Sequence, residues 1–82
     1  MSEWTDDLAR ALGVPALDET QEASLLRASR EVAHRVERRE TPLSAYLLGV
    51  AAGKGIADGN DPSQALGSAM ETLLRALPAA EP

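Results

Sequence analysis

Apolar residues recur at three- and four-residue spacing along most of the chain, with no sustained alternation of period two, so the pattern predicts helices and no strand. Trp4, Leu8, Ala11 and Leu12 mark one face of a first helix over about 2–12. Ser2 is placed to cap it, Glu3, Asp6 and Asp7 complement its positive dipole end, and Gly13 with Val14-Pro15 closes it. A second helix over about 19–39 opens at Asp18, with Gln21 completing a variant capping box. Its expected buried stripe is Leu25, Val32 and Val36 with Leu26 and Ala33. Glu31 and Arg35 form an i,i+4 pair in the favourable order, worth ~0.3–0.5 kcal/mol.

Thr41-Pro42 is the sharpest boundary. Threonine caps and proline at the first helical position loses no hydrogen bond, which predicts a third helix over about 42–57. Leu43, Tyr46, Leu47, Val50 and Ala51 are its expected inward face. The short gap before it predicts an antiparallel hairpin with helix two. Asp61-Pro62 repeats the capping logic for a fourth helix over about 62–77, carrying Leu66, Ala69, Met70, Leu73, Leu74 and Leu77 and stopped by Pro78. Residues 79–82 are expected to fray. The fold class is therefore all-α, a compact four-helix arrangement in one domain spanning 1–82.

Composition sharpens this picture. With 82 residues, no phenylalanine, and Trp4 and Tyr46 as the only aromatics, the core must be built from alanine and aliphatic side chains. Such a core is small, and dimerisation or attachment to a larger protein would add burial. The absence of cysteine removes disulfides, thiolate metal sites and thiol nucleophiles, and favours a cytoplasmic setting. No basic start followed by an apolar run suggests a secretory leader, and no stretch has the length of a membrane span.

The formal net charge of −5 argues against nucleic acid as a partner. The charge is uneven, however. Residues 23–39 hold five arginines against two glutamates. Arg30, His34 and Arg38 fall at i, i+4 and i+8 with Arg27 beside them, and guanidinium forks with an imidazole can share an oxyanion. Thr41 and the start of helix three would add free backbone N–H groups. The plainer alternative is a solvated face with helix-spaced ion pairs.

Ala45, Gly49 and Gly53 line one flank of helix three with minimal side chains. Glycine inside a helix costs ~0.5–1 kcal/mol relative to alanine, so a close approach is expected there, by another helix of the chain or by a second copy. Chemistry is poorly represented. His34 is the only histidine, so no transition-metal site is expected. Asp58-Gly59-Asn60-Asp61 lacks calcium-loop spacing and reads as a turn plus cap. Gly53-Lys54-Gly55 is not a phosphate loop. No paired carboxylates or nucleophile elbow are evident, so no catalytic residue, metal or cofactor is assigned and the chain is not expected to be an enzyme alone.

The stretch from Arg30 to Arg38, then Thr41-Pro42-Leu43 and Tyr46 to Gly53, together with Trp4, Leu8-Ala9 and Leu12-Gly13, resembles a small actinobacterial helical family of unknown function. That family occurs as short free-standing proteins and as an appendage to the molybdenum cofactor guanylyltransferase, and carries a molybdopterin-guanine dinucleotide biosynthesis label. Its pattern keeps Arg30, Glu31, His34 and Glu37, and Pro42 with the glycines. The resemblance covers residues 3–55 and implies an accessory or interaction module, with a nucleotidyltransferase as partner. The residues leave two alternatives open: a small-anion or nucleotide-binding protein using the basic stripe, and a structural homodimer.

Overall fold

The computed structural model describes residues 3–79 and shows the expected all-α arrangement: α1 (Glu3–Leu12), α2 (Glu19–Arg35), α3 (Glu40–Ala57) and α4 (Pro62–Ala76). No strand is present among the described residues. Ser2 and the tail beyond Ala79, read as a cap and a frayed end, lie outside them.

Local chemistry sets most helix ends. Gly13 adopts φ +71° and Gly59 φ +99°, the left-handed geometry that glycine takes without a Cβ penalty. Around Gly13, Val14 N–H donates to Ala9 O and Gly13 N–H to Arg10 O; around Gly59, Asn60 N–H donates to Gly55 O and Gly59 N–H to Ile56 O. Both are Schellman closures. Asp18 accepts from Gln21 N–H at 2.7 Å while Gln21 Oε1 accepts from Asp18 N–H at 3.0 Å, the predicted capping box. Asp61 accepts from the N–H groups of Ser63 and Gln64 with Pro62 in the first turn, also as expected.

The α2–α3 corner departs from expectation. α2 stops at Arg35 rather than near 39, and α3 begins at Glu40, two residues before Pro42. Arg39 is the cap residue and makes no side-chain cap bond. Thr41 is already inside the helix, with its Oγ1 buried and unpartnered. Proline is harmless anywhere in a first turn, whose N–H groups have no intrahelical acceptor, so Pro42 did not fix the start. The charged run Glu37-Arg38-Arg39 gains nothing from continuing α2, because it brings no apolar face to the core.

α2 and α4 run parallel, and α3 runs against both. The α2 and α4 C-termini are tied by Arg35, whose Nε donates to Pro78 O at 2.8 Å while its guanidinium lies 3.6 Å from Glu31. The expected Glu31–Arg35 pair is thus present, with a longer-range contact added. Six of the described residues are buried: Ala28, Val32, Leu48, Ala52, Ala65 and Met70. Three are alanines, so the core is thin. Leu25, Leu66, Ala69, Leu73 and Leu74 pack around it, in line with the α4 stripe.

Other predicted inward faces are open. Leu26 and Val36 of the α2 stripe are exposed, with Ala28 buried instead. The expected α3 face of Leu43, Tyr46, Leu47, Val50 and Ala51 is exposed, and Leu48 and Ala52 face the core. α3 is apolar on nearly every side, so periodicity alone could not choose its face. The small residues won because they let α4 approach: a Cβ on Gly55 would lie 3.1 Å from Ala65 Cβ. Among the described residues, α1 packs against no other helix, and Trp4, Leu8 and Leu12 are exposed. No helix of the described residues is long and apolar enough to cross a membrane.

Candidate functional site

Three surfaces are candidates, and the sequence pointed to two of them. The first is the basic stripe. Arg27, Arg30 and His34 project within one narrow exposed sector of α2, since steps of three, four and seven residues nearly coincide at 100° per residue. None of them makes an ion pair or hydrogen bond among the described residues. Arg38, expected to continue the stripe, lies in the turn after α2 and leaves it. Thr41 does not join it either, because its hydroxyl is buried. The backbone amides expected to serve an anion there are engaged: Glu40 N–H donates to Glu37 O and Thr41 N–H to Arg38 O, both at 3.1 Å. Arg39 is shared between Glu37 and Glu40. The stripe is therefore an open face carrying Arg27, Arg30 and His34, not an enclosed oxyanion pocket.

The second surface is the outer side of α3. A Cβ added at Gly49 or Gly53 would meet nothing within 4 Å, so the close approach expected along Ala45, Gly49 and Gly53 is not made within the chain. It is made at Gly55, two residues on and about half a turn round the helix, a position sequence reasoning passed over. The signal was the third glycine of Gly49, Gly53 and Gly55, placed in register with Leu48 and Ala52. Beside the vacant glycine flank runs a stripe of Leu43, Tyr46, Leu47 and Val50, each at least 52% exposed.

The third surface, an open groove of about 910 Å³ between α3 and α4, was not foreseen. Val36 and Leu47 form one end and wall, Ala51 and Leu73 lie along it, and Gly55 with Ala65 close the other end. Its α4 wall is built by Gln64, Ser68, Thr72 and Ala76. A smaller recess, lined by Asp18, Gln21, Ser63, Leu66, Met70 and Leu74, sits on the opposite flank of α4. Sequence periodicity could not reveal the groove, because it depends on how far α3 and α4 splay. Among the described residues, no cluster of three or more histidine, cysteine, aspartate or glutamate side chains could hold a metal.

No curated protein and no solved structure matches the chain. The model of a family described as a domain of unknown function, DUF6457, matches residues 1–82, and the chain belongs to that family.

Proposed function

We propose that this member of the DUF6457 family is a non-catalytic accessory module that docks on a partner protein, and that its partner is a nucleotidyltransferase of molybdenum cofactor biosynthesis. The observation that carries the docking role is the outer side of α3, where Leu43, Tyr46, Leu47 and Val50 stand open next to the bare Gly49–Gly53 flank. Contiguous apolar surface rimmed by polar groups is the signature of protein association, and glycines let a second backbone approach closely. The pathway comes from the resemblance of Arg30–Arg38 and Tyr46–Gly53 to the family that is also found fused to the guanylyltransferase.

The test is titration of the purified chain with purified molybdenum cofactor guanylyltransferase. Wild type should bind, and Tyr46→Asp and Gly49→Leu should each remove binding. Absence of wild-type binding overturns the pathway; binding that survives both substitutions overturns the surface. The unpaired Arg27–Arg30–His34 stripe supports a second reading as an anion or nucleotide site. It is tested by titrating GTP into wild type and Arg30→Ala, and it fails if neither shows heat.

A further inference from the structure

Two features of the fold are each incomplete alone. α1 is ten residues long and carries Trp4, Leu8 and Leu12 at i, i+4 and i+8, yet it packs against no helix of its own chain. Isolated helices shorter than about 12–15 residues are marginal in water, so a face this apolar needs a partner. The α3–α4 groove is open, with Val36, Leu47, Ala51 and Leu73 offering apolar contacts opposite the Gln64, Ser68 and Thr72 wall of α4. From the groove geometry and the unpartnered helix, we propose that the groove of one copy receives α1 of a second copy, reciprocally, giving a two-fold symmetric dimer by helix exchange. This surface shares only Leu47 with the outer stripe of α3, and the inference does not rest on the accessory role.

Size and charge both fit. A ten-residue helix is about 15 Å long, and the groove runs along about 18 Å of α4 from Gln64 to Ala76. Helix-in-groove recognition reads anchors three, four and seven residues apart, and the four-residue steps of Trp4, Leu8 and Leu12 keep them near one face. The first turn of α1 carries Glu3 and Asp6. One end of the groove, at Val36 and Glu40, lies beside Arg38, which makes no ion pair among the described residues, whereas Arg39 there is already shared between Glu37 and Glu40. Seating Trp4 at that end and Leu12 toward Gly55 brings Glu3 and Asp6 toward Arg38.

The exposed area points to a partner of substantial size. The chain exposes 6205 Å². A typical folded monomer of 8.7 kDa exposes about 4,700 Å², so roughly 1,500 Å² is in excess. Covering most of that excess on two copies reaches the 2,000 Å² and more that obligate homodimers bury.

Exchange between copies, rather than folding back, follows from where α1 is attached. The connection enters α2 at Asp18, in the recess on one flank of α4, and the groove opens on the opposite flank. To reach its own groove α1 would have to cross over α4. A second copy meets no such obstacle, and because the contact is reciprocal it closes as a dimer without leaving a free site.

The experiment is sedimentation equilibrium with Trp4 fluorescence, on wild type, Leu8→Asp, Ala51→Arg, and an equimolar mixture of the two variants. Trp4 is the only tryptophan, so its emission reports this site alone. Both changes fall at exposed positions, one on the unpacked helix and one on the groove wall, so circular dichroism should show both variants folded. Wild type should be a dimer with blue-shifted emission. Each variant alone should dimerise at least about a hundredfold more weakly, because the change is made twice in a symmetric pair. The mixture should recover dimer and blue shift in part: the Ala51→Arg copy keeps a sound α1 and the Leu8→Asp copy keeps a sound groove. A wild-type monomer at 100 μM overturns the proposal whether its Trp4 is exposed or buried. So does a dimer unaffected by Leu8→Asp, or a mixture no better than its parts. Loss of guanylyltransferase binding in Tyr46→Asp leaves this result unchanged, so the two readings fail separately.

Discussion

Gly55→Ala should destabilise the fold although the same change at Gly49 or Gly53 stabilises it. Replacing a helix-interior glycine with alanine contributes ~0.5–1 kcal/mol through backbone entropy when nothing opposes the new methyl group. At Gly49 and Gly53 nothing lies within 4 Å of the new Cβ, so each substitution should give that gain in full. At Gly55 the new Cβ would stand 3.1 Å from Ala65 Cβ and 3.7 Å from Ala65 Cα, both fixed to the α4 backbone. Ala65 is buried in the α3–α4 contact and cannot swing away as a long side chain would. The two helices must part by a few tenths of an ångström, and overpacking of this kind costs about 1–3 kcal/mol. The expected net loss at Gly55 is about 1 kcal/mol. The three variants should be compared by urea unfolding at equal protein concentration, reading midpoints at unchanged m-value. For a domain of this size, 1 kcal/mol also moves Tm by about 4–8 °C. If Gly55→Ala gains stability as Gly49→Ala does, the close α3–α4 approach is refuted.

Three further outcomes follow from named contacts. Thr41→Val should raise stability by about 1 kcal/mol, because it replaces a buried hydroxyl that has no partner; urea unfolding would show this, and a loss would mean that Oγ1 is bonded in solution. Asp61→Ala should cost about 1 kcal/mol by stripping the cap from Ser63 and Gln64, and Asp61→Asn should retain most of it, as thermal melts would show. Arg35→Ala should cost about 1 kcal/mol and speed hydrogen exchange in the last turn of α4, since it releases Pro78 O from α2; unchanged exchange there would remove the clamp from the account.

What the sequence disclosed and what it withheld divide along a physical line. Asp18 with Gln21, Asp61 with Pro62, Gly13, and the run through Gly59 act within a few residues, so their roles were legible before any tertiary structure was known. Leu48 and Ala52 were not, because α3 offers apolar residues in nearly every direction and the choice among them is made by α4. The same holds for Gly49 and Gly53, where sequence marks a helix flank as smooth without saying what lies against it. The basic stripe was half legible. Arg27, Arg30 and His34 share a sector because α2 is regular there, whereas Arg38 left it when the helix ended four residues early. The groove had no local signature, being the space between two helices whose separation is set by Gly55 against Ala65.

The parallel run of α2 and α4, latched by Arg35 on Pro78, bears on how the chain reaches its structure. α3 and α4 are neighbours in sequence, joined through a turn closed by Gly59 and Asp61, so their pairing has little chain to organise. The latch spans 43 residues, among the most distant partners in the fold. A hairpin of α3 and α4 forming first, with α2 added and the latch last, would confine the slow loop closure to the final step. Local topology of this kind folds in microseconds to milliseconds. Substitutions at Arg35 would then accelerate unfolding and leave the folding rate nearly untouched.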